Sequence, residues 1–246
     1  MPSIQLAQRA CRFEHEDTYD WYCSWPDLEQ LVIDTLTERA AVADELVTLI
    51  PGNGSSPLPV QVPTQATCLV VTGWCMQLWE AVQHLHVRIL AADYVTDLAE
   101  RMAAKYPQPD VQWLTEDLTL EGQLWKSLYE TGVDLILDKG CMDAFLVKPV
   151  ELRIDDADHW LTHEDEAADA IGYLSHCAKA LRCRSGSMII VTLTRRGLTE
   201  PLLRRVGLSV LSWERLQLEN ASLQQPNIVR VVGDANATQK IQSSLE

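Results

Sequence analysis

Short apolar runs rich in β-branched residues alternate with stretches of helical period from about residue 66 to the C-terminal region. CLVV (68–71) precedes MQLWEAVQHL, VRILAA (87–92) precedes VTDLAERMAAKY, and VQWL (111–114) precedes EGQLWKSLYE. VDLIL (133–137) leads into an irregular stretch and then EDEAADAIGYLSHCAKAL, while SMIIVTL (187–193) precedes LTEPLLRRV. LSVLSWERLQL and NIVRVV close the series with no clear helix between them. Apolar runs bounded by turns and separated by helices predict a mostly parallel sheet covered on both faces. Seven strands emerge, with the last two forming an antiparallel hairpin. Upstream, PDLEQLVIDTLTERAAVADELVTLI (26–50) has helical periodicity with strong helix formers. PGNGSSPLPVQVPTQ (51–65), with its four prolines, reads as a loop. The expected organisation is an N-terminal helical cap over 1–50, a linker over 51–65, an α/β domain over 66–234 and a tail over 235–246.

Composition narrows the partners. Apolar residues make up 47% of the 246 residues and charged residues 22%, enough for a sizeable core and against disorder. Thirty-five acids against twenty Lys and Arg give a net charge of −15. That field repels phosphate backbones and attracts a basic protein, and no strong cluster of positive charge stands out in the sequence. Nucleic acid is therefore not expected as a partner. Seven cysteines at irregular spacing, with no Cys-x-x-Cys, point to reduced thiols rather than a disulfide framework or zinc site. No apolar run approaches the roughly 20 residues of a membrane span. The first residues lack the apolar stretch of a signal peptide, which suggests the cytoplasm. Arg9 and Arg12, with no acid before Glu14, leave a mitochondrial address as the alternative. The oligomeric state is not specified by the sequence.

In an open sheet of this type, a Rossmann-like arrangement, ligands bind beyond the carboxyl ends of the strands. Thr72-Gly73-Trp74-Cys75 follows the first expected strand and Asp93-Tyr94 the second. Glu116-Asp117-Leu118 follows the third and Asp138-Lys139-Gly140 the fourth. An acid about 20 residues beyond a glycine turn suits the two vicinal hydroxyls of a ribose, and Gly73 to Asp93 has that spacing. Asp117 is placed to accept from an adenine amino group. The competing reading makes each acid a solvated loop residue; two on one sheet edge, correctly spaced, bring the adenosine reading level with it.

VDLILDKGCMDAFL resembles the Asp/Glu-Lys-Gly-Thr-Leu-Asp-Ala segment of one branch of the class I, seven-strand S-adenosylmethionine-dependent methyltransferases. That branch includes the elongation-factor and citrate synthase lysine methyltransferases. Asp138, Lys139, Gly140, Asp143 and Ala144 match, and Cys141 and Met142 replace Thr and Leu. Tyr19-Asp20-Trp21-Tyr22 is similar to the branch's Tyr/Phe-Asp-Trp-Phe/Tyr motif, and Arg9 stands where the family has an Arg upstream of it. The Trp and Asp of that upstream element are replaced by Leu6 and Ala7. The resemblance implies S-adenosylmethionine as cofactor, bound by Arg9, Trp21, Gly73, Asp93, Tyr94, Asp117 and Leu118. It also implies a protein lysine as methyl acceptor, with Trp21 and Tyr22 at the mouth and Asp138 or Asp143 orienting the amine.

One departure bears on activity. The family has Gly-Cys-Gly-Asn-Ser after its first strand, where a side chain would collide with the cofactor. With the first strand at 68–71, at most one glycine survives there, and Trp74 or Cys75 stands in the loop. The alternative expectation is thus a catalytically inactive relative, retained as a binding or assembly subunit. Other signals have plainer readings. His159 and His163, at i and i+4 amid acids, suit a metal pair less well than an acidic, helix-capping surface. His84 and His86 read as structural. The eight tryptophans are scattered and lack a basic groove. Cys75 and Cys141 have no histidine placed to activate them.

Overall fold

A computed structural model describes residues 25–42, 45–51, 78–94, 96–146, 167–182, 186–216 and 225–233. The strands are β1 (Leu46–Pro51), β2 (Val87–Asp93), β3 (Val111–Thr115), β4 (Leu135–Lys139), β5 (Ser187–Thr192), β6 (Leu208–Arg215) and β7 (Asn227–Gly233). They form a single sheet in the order β3-β2-β1-β4-β5-β7-β6. All pairs from β3 to β5 are parallel, and β7 runs antiparallel to both β5 and β6. The expected seven-stranded, mostly parallel sheet with a terminal antiparallel hairpin is what the chain forms.

The helices are α1 (Glu29–Ala40), α2 (Thr96–Lys105), α3 (Gln123–Thr131), α4 (Cys141–Leu146), α5 (Ala168–Arg182) and α6 (Arg196–Arg205). The two-residue alternation of a strand explains why the central strands are apolar throughout. In β1, Val47 and Leu49 face one core while Leu46 and Ile50 face the other; in β5, Met188 and Ile190 oppose Ile189 and Val191 in the same way. Trp125 of α3, Tyr173 and Leu174 of α5 and Leu202 and Leu203 of α6 fill the first core. Val32 and Leu36 of α1 and Leu78, which opens helical residues 78–81, fill the second.

The first strand departs from expectation. The helical period predicted over 26–50 runs to Ile50, yet the helix ends at Ala40 and residues 46–51 form the strand between β2 and β4. A short apolar run such as LVTLI satisfies a buried strand as well as a buried helical turn, and periodicity does not separate the two. Pairing does. Leu46 to Pro51 run parallel to Val87 to Ala92, and Thr48 and Leu49 pair with Leu135 and Ile136. Residues 68–71, expected as the first strand, lie outside the described residues, and the place reserved for them in the sheet is held by 46–51. The boundary drawn at residue 50 therefore falls inside the sheet.

Asp134, fully buried just before β4, fastens this strand in place. Its Oδ1 accepts from Arg39 Nη2 at 3.1 Å and its Oδ2 from the Val47 N–H at 2.9 Å. The carboxylate thereby joins the end of α1 to the start of β1. No helix among the described residues is long and apolar enough to cross a membrane.

Candidate functional site

The carboxyl ends of β1, β2 and β3 lie side by side. Pro51, the last residue of β1, pairs with Ala92, and Asp93, the last of β2, pairs with Thr115, the last of β3. Asp93 is 3% exposed, and its carbonyl accepts the Glu116 N–H at 2.9 Å, tying the β2 end to the loop after β3. Tyr94 follows at the rim, exposed. Asp117 is exposed as well, and its Oδ1 accepts from the Thr119 N–H at 3.0 Å and the Thr119 hydroxyl at 2.7 Å. This local turn fixes the loop and leaves Oδ2 for another donor. Leu118, expected as a ligand contact, follows Asp117. Its side chain is buried in the core, and its carbonyl accepts the Trp125 indole N–H at 3.1 Å.

In sequence, β1 runs directly into Gly52-Asn53-Gly54-Ser55-Ser56. The Gly-x-Gly pattern expected after the first strand therefore stands at 52–54, once the strand is placed at 46–51. The expected loss of glycine belongs to a strand at 68–71; after the strand at 46–51 the sequence keeps both glycines. Gly73, Trp74 and Cys75 lie outside the described residues, as do Arg9 and Trp21 with the rest of the aromatic lead-in, and His159 and His163.

The two acids expected to orient an amine each hold several hydrogen bonds within the fold. Asp138, on β4, is fully buried. Its Oδ1 accepts the Cys141 N–H at 2.7 Å, and its Oδ2 accepts the Met142 N–H at 3.1 Å and the Tyr173 hydroxyl at 2.9 Å. The carboxyl thus caps the first turn of α4 and clasps α5 to it. Burial pushes its pKa up to about 7, with the nearby Asp143 adding to the rise against the lowering by its donors. Asp143, 6% exposed, accepts from the Thr192 hydroxyl at 2.5 Å, the Thr194 hydroxyl at 3.0 Å and the Leu193 N–H at 2.8 Å. It staples α4 to the turn after β5. Between the two acids, Gly140 takes φ 79°, which favours glycine, and donates to the Val191 carbonyl at 3.1 Å. A strand end that feeds straight into a helix directs a preceding carboxylate to the helix's unpaired N–H groups, as Asp138 shows; Asp143, inside α4, is taken up by the turn after β5.

Tyr173 and the Thr192–Thr194 turn are the residues the sequence did not single out. Tyr173 sits within an apolar helical repeat, where nothing distinguishes a tyrosine bound to a buried acid from one that fills space. Cys141 and Cys177 are buried beside this cluster, and burial raises both thiols well above their ordinary range. Asp138 adds to the rise at each, and Asp93 adds to it at Cys141. Such thiols stay protonated and unreactive at neutral pH.

No protein-family model matches the chain, and no curated protein sequence does. Solved structures do. The chain is similar to the glycopeptide N-methyltransferase MtfA complexed with sinefungin, at 9% identity and TM-score 0.52, over 96% of this chain and 98% of that one. It is similar to an S-adenosylmethionine-dependent methyltransferase from Clostridium acetobutylicum, at 9% identity and TM-score 0.50, over 87% and 93%. The CurJ carbon methyltransferase matches at 11% identity and TM-score 0.54, over 85% of this chain and 54% of that one. At such identities the likeness shows the fold, and that fold is the Rossmann-like one of class I S-adenosylmethionine-dependent methyltransferases.

Proposed function

We propose that the chain is an S-adenosylmethionine-dependent methyltransferase that acts on a protein lysine. One juxtaposition carries the reading. β1 runs into Gly52-Asn53-Gly54, β2 ends on the buried Asp93, and β3 runs into the exposed Asp117, on three strands adjacent in the sheet. Glycines allow main chain to approach a ligand closely. Asp93 is suited to accept from both ribose hydroxyls, and Asp117 Oδ2 from the adenine amino group. When bound, the cofactor supplies an electrophilic methyl on a sulfonium. The protein's task is to hold the acceptor in line with it and exclude water. A lysine must also shed its proton, which a water-poor mouth favours by lowering its pKa.

Asp138 and Asp143 serve this reading as positioning groups that set the height of the β4 and β5 ends. Lysine as acceptor is supported by the Asp138-Lys139-Gly140 and Tyr19-Asp20-Trp21-Tyr22 similarities, and the net charge of −15 favours a basic substrate protein. The ground for an inactive relative was the loop at 72–76, and the position of β1 takes that ground away.

Titration calorimetry with S-adenosylhomocysteine tests the cofactor. The unaltered chain binds, and Asp93→Ala loses about 3 kcal/mol, roughly a hundredfold in Kd, as a charged acceptor of two hydroxyls is removed. A folded chain that gives no heat at millimolar ligand overturns the proposal. Transfer of labelled methyl groups to a basic protein fraction, abolished when its lysines are blocked by acetylation, tests the acceptor.

A further inference from the structure

Helix α6 gathers positive charge that the overall balance conceals. The chain has fifteen more acids than bases. Yet Arg195, Arg196, Arg204 and Arg205 stand on this helix or at its N-cap, against the single acid Glu200. All four arginines are exposed. In sequence the two pairs are well separated, so no cluster is visible; helical geometry puts 196, 200 and 204 on one face, one turn apart.

Glu200 accepts Arg196 Nε at 2.8 Å and Arg204 Nη2 at 2.5 Å. Those contacts, that to Arg196 first, hold its carboxyl below the usual range. Each guanidinium has five N–H donors, so Glu200 orients both forks while most of their donors remain for a partner. The Arg196 guanidinium also lies over the Trp213 ring, 5.9 Å from its centroid. Between the two arginines is a shallow hollow of about 510 Å³ lined by Arg196, Gly197, Glu200, Pro201 and Arg204. A Cβ at Gly197 would meet nothing within 4 Å, so the floor is open there. Along the flank of that face, buried Thr199, Leu202 and Leu203 anchor the helix.

We infer that α6 is a docking surface for a short acidic peptide segment of a partner protein, with an apolar side chain between its acids. Carboxylates of the segment meet Arg196 and Arg204, and the apolar side chain lies over Gly197 and Pro201. Nucleic acid fits less well. A floor of Gly197 and Pro201 gives a base no aromatic face to stack on, whereas it accepts a small apolar side chain between two carboxylates. The inference rests on α6 alone and stands apart from methyl transfer.

Fluorescence anisotropy of the full-length chain provides the test, with fluorescein-labelled Glu-Glu-Leu-Glu-Glu as probe. Lys-Lys-Leu-Lys-Lys and a short oligothymidine serve as comparisons. The acidic peptide binds at least ~tenfold tighter than either, and weakens as salt rises from about 50 to about 300 mM. The Arg196→Gln/Arg204→Gln double variant weakens it by ~fivefold or more. Gly197→Leu does the same by filling the hollow while leaving every charge in place; thermal melting confirms that both variants are folded. Absence of binding, binding that survives both variants, or tighter binding of the oligonucleotide overturns the inference.

Discussion

Raising the pH should weaken this fold through one buried acid. Asp138 is raised from 3.8 to about 7, chiefly by burial. In the unfolded chain it ionises near 4; in the folded chain it keeps its proton until about pH 7. Between those values the folded state binds more protons than the unfolded state, so stability falls as pH rises. The shift is about three units, which amounts to about 4 kcal/mol lost between about pH 4 and pH 7. Against a typical total of about 5–15 kcal/mol, that is a large fraction. Asp138→Asn keeps the shape and an acceptor for the α4 N–H groups but does not titrate. The assay is urea unfolding of both chains across this range. The stability of the unaltered chain relative to Asp138→Asn should drop by about 4 kcal/mol from low to neutral pH. Parallel pH profiles, or a difference that grows with pH, would refute the burial argument for this residue.

Further outcomes follow from the same geometry. Asp143→Ala leaves the buried Thr192 hydroxyl and the Leu193 N–H without their charged acceptor, and should cost about 3 kcal/mol in chemical denaturation. Gly186→Ala sets a Cβ 2.1 Å from the Val133 carbonyl oxygen, a clash with backbone that cannot turn aside; it should lower Tm by several degrees or abolish soluble expression. Gly197→Ala, by contrast, enters open space on an exposed helix and should stabilise by about 0.5–1 kcal/mol, read as a rise in Tm. Below about pH 6.5, His176 opposes the Asp138 effect. Its burial disfavours the imidazolium, so the Asp138→Asn chain should lose stability on acidification, and His176→Gln in that background should flatten the curve.

The site's outline was more legible than its workings. Asp93 and Asp117 could be placed beyond β2 and β3 because those strands are bounded by turns and followed by amphipathic helices. The destinations of Asp138 and Asp143 could not. A carboxylate after a strand looks the same in sequence whether it faces a ligand or the N–H groups of the next helix. The folded chain shows the partners: Cys141 N–H at 2.7 Å for Asp138 and the Thr192 hydroxyl at 2.5 Å for Asp143. A spacing of about 20 residues from glycine to ribose acid favours Gly73 when the sequence is read alone. Gly52 and Gly54 stand roughly twice that far from Asp93 along the chain, although β1 and β2 are neighbours in the sheet.

By itself the sequence determined the fold class, because alternation of apolar runs with helical period reflects local backbone geometry and the burial of both sheet faces. It determined the hairpin too, since two strands with no helix between them have no route to a parallel pairing. Only the tertiary structure decided which apolar run stands at the centre of the sheet. LVTLI meets the needs of a helix end and of a strand equally well until neighbouring strands offer it hydrogen bonds. Parallel pairing to β2 and β4 settles that choice, and sets the end of β1 at Pro51, level with Ala92 of β2. Strand register is long-range, and no local stretch of sequence contains it.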